Sequence, residues 1–152
     1  MRANQMSGPL ETAVRLLARR EYSEQELRCK LLQQSYDPDT ITDAIIRLKE
    51  KGYLDDTRLL QRGIERLLAD RRLGFRGIIA KLGQAGLSVS SAEVRKHYPE
   101  EAEWQVASQL LEKKFPSRTA ENMNKIGRFL ANRGFSAAIV NRAMEECRKH
   151  QY

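Results

Sequence analysis

Apolar residues recur at steps of three and four along most of the chain, and similar short punctuation interrupts them each time. Leu10, Ala13, Leu16 and Leu17 follow Pro9 and predict a helix near 9–20. Ser23 with Glu26 forms a capping box ahead of Leu27, Leu31 and Leu32, which predicts a second helix near 23–34. Asp37-Pro38 opens a third, in which Ile41, Ala44, Ile45 and Leu48 recur before Gly52. No run alternates with period two between turn signals, so no sheet is expected.

The turn Lys51-Gly52-Tyr53-Leu54-Asp55-Asp56 is the sharpest boundary. Gly52 suits a left-handed helix end, Tyr53 and Leu54 are expected to fold onto the core, and Asp55 or Asp56 to cap the next helix. The same grammar then returns. Leu27, Leu31 and Ser35-Tyr36-Asp37 reappear 51 residues on as Ile78, Leu82 and Gly86-Leu87-Ser88, and after 48 more as Ile126, Leu130 and Gly134-Phe135-Ser136. Two apolar positions bury one helical face, a small residue closes the helix, a bulky one plugs the corner, and Ser or Asp starts the next helix.

In the second copy Val89, Ala92 and Val94 make a thin stripe for a helix near 88–97. In the third, Trp104, Val106, Ala107, Leu110 and Leu111 predict a helix near 101–115, and Ile139, Val140, Ala143, Met144 and Cys147 one near 136–149. The expected fold is all-α: an elongated array of three tandem three-helix modules, nine helices in all. After a flexible lead-in at 1–8, the modules run over 9–55, 56–100 and 101–152.

Composition adds a partner class. The 152 residues are 41% hydrophobic, enough for a core, and 27 Lys+Arg against 20 Asp+Glu give a net charge of +7. Residues 1–55 balance at nine of each sign, 56–100 carry nine basic against five acidic, and 101–152 nine against six. A polyanion, nucleic acid first, is expected to meet the middle and C-terminal parts. No apolar run reaches the roughly 20 residues of a membrane span and MRANQMSGPL lacks a signal-peptide core, so a cytoplasmic protein without membrane contact is expected. Cys29 and Cys147 read as buried or half-buried thiols, with neither metal nor cofactor implied.

Catalytic signals are nearly absent. His97 and His150 lack a local acid or nucleophile, no Gly-Lys-Ser or Gly-Lys-Thr follows the glycines, and Glu24, Glu26, Glu50, Asp55, Asp56, Glu145 and Glu146 read as caps or solvated faces. The chain is not read as an enzyme. The basic residues offer more: Arg58, Arg62 and Arg66 share a helical face, and Asp70-Arg71-Arg72-Leu73-Gly74-Phe75-Arg76 sets three guanidinium groups beside a glycine. Lys125 and Arg128 share a face of a later helix, with Arg133 beyond it. Planar guanidinium forks suit phosphates and carboxylates alike. Tyr53, Phe75, Phe129 and Phe135 read as packing residues rather than base-stacking ones. A helix-turn-helix at 78–97 is the rival, but its second helix lacks the Gln, Asn and Arg cluster that reads base edges.

The chain resembles the RecX family, regulators of the bacterial recombinase RecA. The resemblance rests on AVRLLARREYSEQELRCKL at 13–31, KGYLDDTRL at 51–59, the arginine segment with Gly74, IIAKLGQAGLS from Ile78 and KIGRFLANRGFS at 125–136. It implies tandem three-helix modules and no catalytic site. It also implies binding to RecA filaments on single-stranded DNA, blocking growth or promoting disassembly and so reducing ATPase, strand-exchange and coprotease activity. On that reading Arg62, Arg66, Arg71, Arg72, Arg76, Lys125, Arg128 and Arg133 are the candidate contacts to RecA or DNA, and a monomer is expected. Two positions depart from the family: Gly74-Phe75 stands where Gly-Pro is common, and Gly77 where a basic residue is usual. The readings from other classes are a protein acting on naked DNA in transcription or DNA architecture, and a scaffold for an acidic protein.

Overall fold

A computed structural model describes residues 8–150. The lead-in read over 1–8 lies outside the described residues except for Gly8, whose extended backbone precedes the first helix. The described residues form nine α-helices and one 3-10 turn, with no strand: α1 (Pro9–Arg19), α2 (Glu24–Gln33), α3 (Pro38–Glu50), α4 (Asp56–Asp70), α5 (Phe75–Gln84), α6 (Ser91–His97), α7 (Glu100–Lys114), the 3-10 turn Ala120–Asn122, α8 (Met123–Asn132) and α9 (Ala137–Lys149). They pack as two compact units. One runs through Arg62 and includes Gln84–Ser88; the other comprises Gly63–Gly83 and the chain from Val89 onward.

In the first unit α1 and α2 each pack on α3, around Ala13, Leu27, Leu31, Ile41, Ile45, Leu48 and Leu54. The caps that the sequence announces for α2 and α3 are present. Ser23 Oγ accepts from the Glu26 N–H at 3.1 Å while the Ser23 N–H donates to Glu26 Oε1 at 3.2 Å. Asp37 accepts from the Asp39 and Thr40 N–H groups at the start of α3. At the next turn the two aspartates divide the work. Asp55 caps α4 by accepting from the Arg58 N–H, whereas Asp56 accepts from the Glu24 N–H at 2.9 Å and joins the start of α4 to the start of α2.

Tyr53 does not fold onto the core: it is 60% exposed, while Leu54 is 3% exposed. The N–H groups of both converge on the Leu48 carbonyl, and the turn they close is filled by Leu54 alone. Cys29 is likewise exposed rather than buried, whereas Cys147 is buried, which pushes its thiol pKa up.

The repeated corners are the most regular feature. Ser35, Gly86 and Gly134 all take the left-handed conformation, with φ of 65°, 76° and 77°. Their bulky neighbours fill the corners: Leu87 and Phe135 are buried, and the half-buried Tyr36 places its hydroxyl 2.7 Å from Thr12 Oγ1. The third position varies. Asp37 caps as expected, but α6 starts at Ser91 and is capped by Ser90, whose side chain accepts from the Glu93 N–H, rather than by Ser88. In the first unit Gly86 also lies against the start of α2, where a Cβ would come within 2.8 Å of Ser23 Oγ.

Ser35 bears the left-handed strain without glycine's freedom. Ser35→Gly is expected to raise unfolding stability by up to about 1 kcal/mol, and Gly86→Ala to lower it by at least that much, both read from urea denaturation. Lys49 Nζ, 2.5 Å from Glu24 Oε2, holds the Glu24 carboxyl below its ordinary value of 4.5. That stabilisation is complete above the unfolded-state value and is lost as pH falls through the lower folded-state value. Glu24→Gln is expected to flatten this part of the acid dependence of the urea midpoint, measured from about pH 6 to about pH 3.

Candidate functional site

The arginine-rich segment between α4 and α5 is fastened residue by residue. Arg71 follows α4 in the left-handed region, φ 50°, with its N–H on the Leu68 carbonyl at 3.2 Å. The Tyr98 hydroxyl donates to the Leu73 carbonyl at 3.0 Å. Helix α5 then begins with N–H groups that no carbonyl of its own can satisfy. The Gly74 N–H donates to Arg133 O at 3.0 Å, and those of Arg76 and Gly77 to Gly134 O at 2.8 and 3.1 Å. The Phe75 N–H donates to Glu103 Oε1 at 3.0 Å. Each of the four finds a tertiary acceptor.

This docking leaves no room for side chains. A Cβ on Gly74 would lie 2.2 Å from Phe135 Cα, one on Gly77 2.6 Å from Arg133 O, and one on Gly134 2.2 Å from Gly77 N. The two departures noted at Phe75 and Gly77 thus have physical reasons. A proline at 75 would have no N–H for Glu103, and a side chain at 77 would strike the Arg133 carbonyl.

Glu103 in α7 is fully buried, with every contact made within the second unit. Besides Phe75 it accepts from the Ser136 N–H at 2.8 Å, Ser136 Oγ at 3.0 Å and Arg95 Nη1 at 2.9 Å. One carboxylate therefore joins the starts of α5 and α9 to the end of α6. Ser136 precedes α9 as expected, but its hydroxyl bonds Glu103 instead of capping its own helix. The Arg95 guanidinium also lies 3.8 Å over the Phe75 ring. Burial, and secondarily the charge of Glu103, raise the Tyr98 hydroxyl pKa. Sequence reading passed over Glu103, Arg95, Tyr98 and Gln109. A signal existed for Glu103, which precedes Val106 and Ala107 by three and four residues and so falls on their buried face.

The candidate cations occupy distinct settings. Arg62, in the first unit, is exposed and ion-paired with Glu21. In the second unit Arg66, Arg72, Arg76, Lys125 and Arg128 are exposed, and among the described residues none of them enters an ion pair. Arg71 is exposed, with Nε and Nη2 held at 3.1 and 2.9 Å by Gln109 Oε1. Arg133 is half-buried over the Phe129 ring at 4.6 Å, and that ring meets Phe115 edge-on. The bonds at the start of α5 bring the segment 71–77 against the turn 133–135, so Arg72, Arg76 and Arg133 stand on adjoining backbone.

Charge is uneven between the units: 16 basic against 10 acidic residues in the second, 11 against 10 in the first. The second unit thus presents exposed guanidinium groups on fixed backbone, a surface suited to phosphate or carboxylate oxygens. Among the described residues no three His, Cys, Asp or Glu side chains converge as for a metal, and no helix is long and apolar enough to cross a membrane.

Two family profiles match the chain, one described as RecX, first three-helix domain, over residues 10–48 and one as RecX, third three-helix domain, over residues 100–144. A curated protein of Chromohalobacter salexigens named Regulatory protein RecX is 35% identical over 146 residues, spanning 93% of this chain and 94% of its own length. Another of that name from Mannheimia succiniciproducens is 32% identical across 82% of this chain and 84% of its own. The crystal structure of RecX from Lactobacillus salivarius superposes with a TM-score of 0.75 over 93% of this chain and 95% of that one, at 19% identity, which speaks to fold alone.

Removing the Glu103 carboxylate strands Arg95, the Phe75 N–H and Ser136 together. Glu103→Ala is expected to cost about 3–5 kcal/mol in urea denaturation, and Glu103→Gln, which keeps one acceptor oxygen, distinctly less.

Proposed function

The chain belongs to the RecX family of regulatory proteins, and we propose that it is a negative regulator of homologous recombination that binds RecA filaments on single-stranded DNA. Bound there, it blocks filament growth or promotes disassembly, and so lowers the ATPase, strand-exchange and coprotease activities of RecA. The observation that carries this reading beyond family membership is the set of exposed cations in the second unit, Arg66, Arg72, Arg76, Lys125 and Arg128, that enter no ion pair among the described residues. A cation already neutralised by a neighbouring carboxylate gains little from a new anion, whereas these five have their charge available.

On this reading the protein acts by occupation. It makes and breaks no covalent bond, and the three-helix modules, bounded near residues 55 and 100, form a framework that holds cations in place. Arg72 and Arg76 stand on the segment fastened by the start of α5, so little backbone freedom remains to be lost on binding. Their partners are phosphate oxygens of the DNA, acidic side chains of the recombinase, or both.

The test is the rate of RecA ATP hydrolysis on single-stranded DNA as the protein is added well below the recombinase concentration. Substoichiometric inhibition is expected, and the doubly substituted Arg72→Ala, Arg76→Ala protein is expected to need about tenfold more protein for the same effect while melting normally. Inhibition that appears only when the protein suffices to coat the DNA would overturn the reading in favour of action on naked DNA.

A further inference from the structure

The way Arg71 is held differs from the way most other tethered cations are held. Arg62, Arg95, Arg118 and Arg142 are fastened across elements by carboxylates, Glu21, Glu103, Glu146 and Glu101, so their charge is spent where it is fixed. Arg71 is gripped at Nε and Nη2 by the amide oxygen of Gln109, 3.1 and 2.9 Å away. An amide oxygen orients a guanidinium through two hydrogen bonds yet carries no net charge, so the cation is aimed without being neutralised. The backbone beneath is equally constrained, by the left-handed conformation of Arg71 and by the Tyr98 hydroxyl on the Leu73 carbonyl. Arg71 and Gln109 both belong to the second unit and both are exposed.

We propose that Gln109 is a positioning residue that presents the Arg71 guanidinium to a phosphodiester oxygen of single-stranded nucleic acid. The inference rests on the reading that the second unit meets a polyanion, and narrows it to one contact and one residue that sets it up. Two of the five guanidinium N–H donors point at Gln109 and three remain for the anion, enough for a two-pronged contact. A phosphodiester is favoured over a carboxylate because Arg72, next in sequence and also exposed, supplies a second cation for a repeating anionic backbone. Without the amide the side chain still reaches the phosphate, but its rotamers must be frozen at the moment of binding.

Direct binding to a short fluorescein-labelled oligothymidylate, without recombinase, titrated across salt concentration, tests this. Gln109→Met keeps length and bulk but removes the oxygen. It is expected to weaken binding about three- to tenfold with the salt slope unchanged and melting unaffected. Arg71→Ala is expected to weaken binding and lower the slope by about 0.7, the value of one phosphate contact on a single strand. In the Arg71→Ala background, Gln109→Met is expected to change nothing further, whereas a merely structural role for Gln109 would persist there. Gln109→Glu, which would neutralise the cation it orients, is expected to lower the slope as Arg71→Ala does. The proposal is overturned if Gln109→Met binds like the unsubstituted protein, if its effect is the same in both backgrounds, or if the unsubstituted protein does not bind the oligonucleotide. None of these results would touch the ATPase inhibition by which the broader reading stands or falls.

Discussion

Helix α5 opens with four N–H groups that no carbonyl of its own can reach, and the second unit is arranged around receiving them. Two come from the glycines at 74 and 77, and their acceptors are the carbonyls of Arg133 and Gly134 together with one buried carboxylate. Such close approach of backbone to backbone requires the absence of side chains on both partners, which is why glycine occupies positions 74, 77 and 134. The carboxylate has a second consequence. Burying Glu103 is tolerable because Arg95 and Ser136 complete its coordination, and in doing so they draw α6 and α9 to the same point. Arg76 is thereby held by its backbone beside Arg133, while its side chain remains in solvent.

The first unit solves a related problem with different residues. The opening N–H of α2, at Glu24, is received by Asp56 from the start of α4, much as that of α5 is received by Glu103 from the start of α7. Gly86 lies against Ser23 and Gln25 in the first unit, and Gly134 against Arg76 and Gly77 in the second. In both cases the following copy supplies one carboxylate and one glycine corner. The divergence lies in capping: Ser23 with its own capping box makes α2 partly self-sufficient, whereas α5 has no local cap and relies wholly on tertiary partners.

Much of this architecture was legible because it is written in local chemistry. Capping residues, prolines at helix starts and left-handed corners act over a few residues, so Ser23, Asp37 and the corners at 35, 86 and 134 could be recognised from spacing alone. Failures arose where a neighbour distant in sequence decided the matter. Ser136 looks like a cap, but Glu103 captures its hydroxyl; Tyr53 and Leu54 look equally apolar, but the corner admits only Leu54. The candidate site shows the same division. Its charges were countable, yet which guanidinium is neutralised by a carboxylate and which is merely oriented depends on Glu21 and Gln109, far from Arg62 and Arg71 along the chain, whereas the ring under Arg133 is that of Phe129, one helical turn before it.

The corner at Ser35 has a consequence for how many copies such a chain can hold. Its equivalents, Gly86 and Gly134, each press against the second helix of the copy before, at a distance that excludes a β-carbon. Ser35 shares their backbone conformation but carries that carbon, and is exposed. A corner so built does not fit the close seat that a preceding copy would offer. Seating a further module ahead of the first in the same way would require the hydroxymethyl side chain of Ser35 to give way to hydrogen, so a single side chain marks the edge of the repeat.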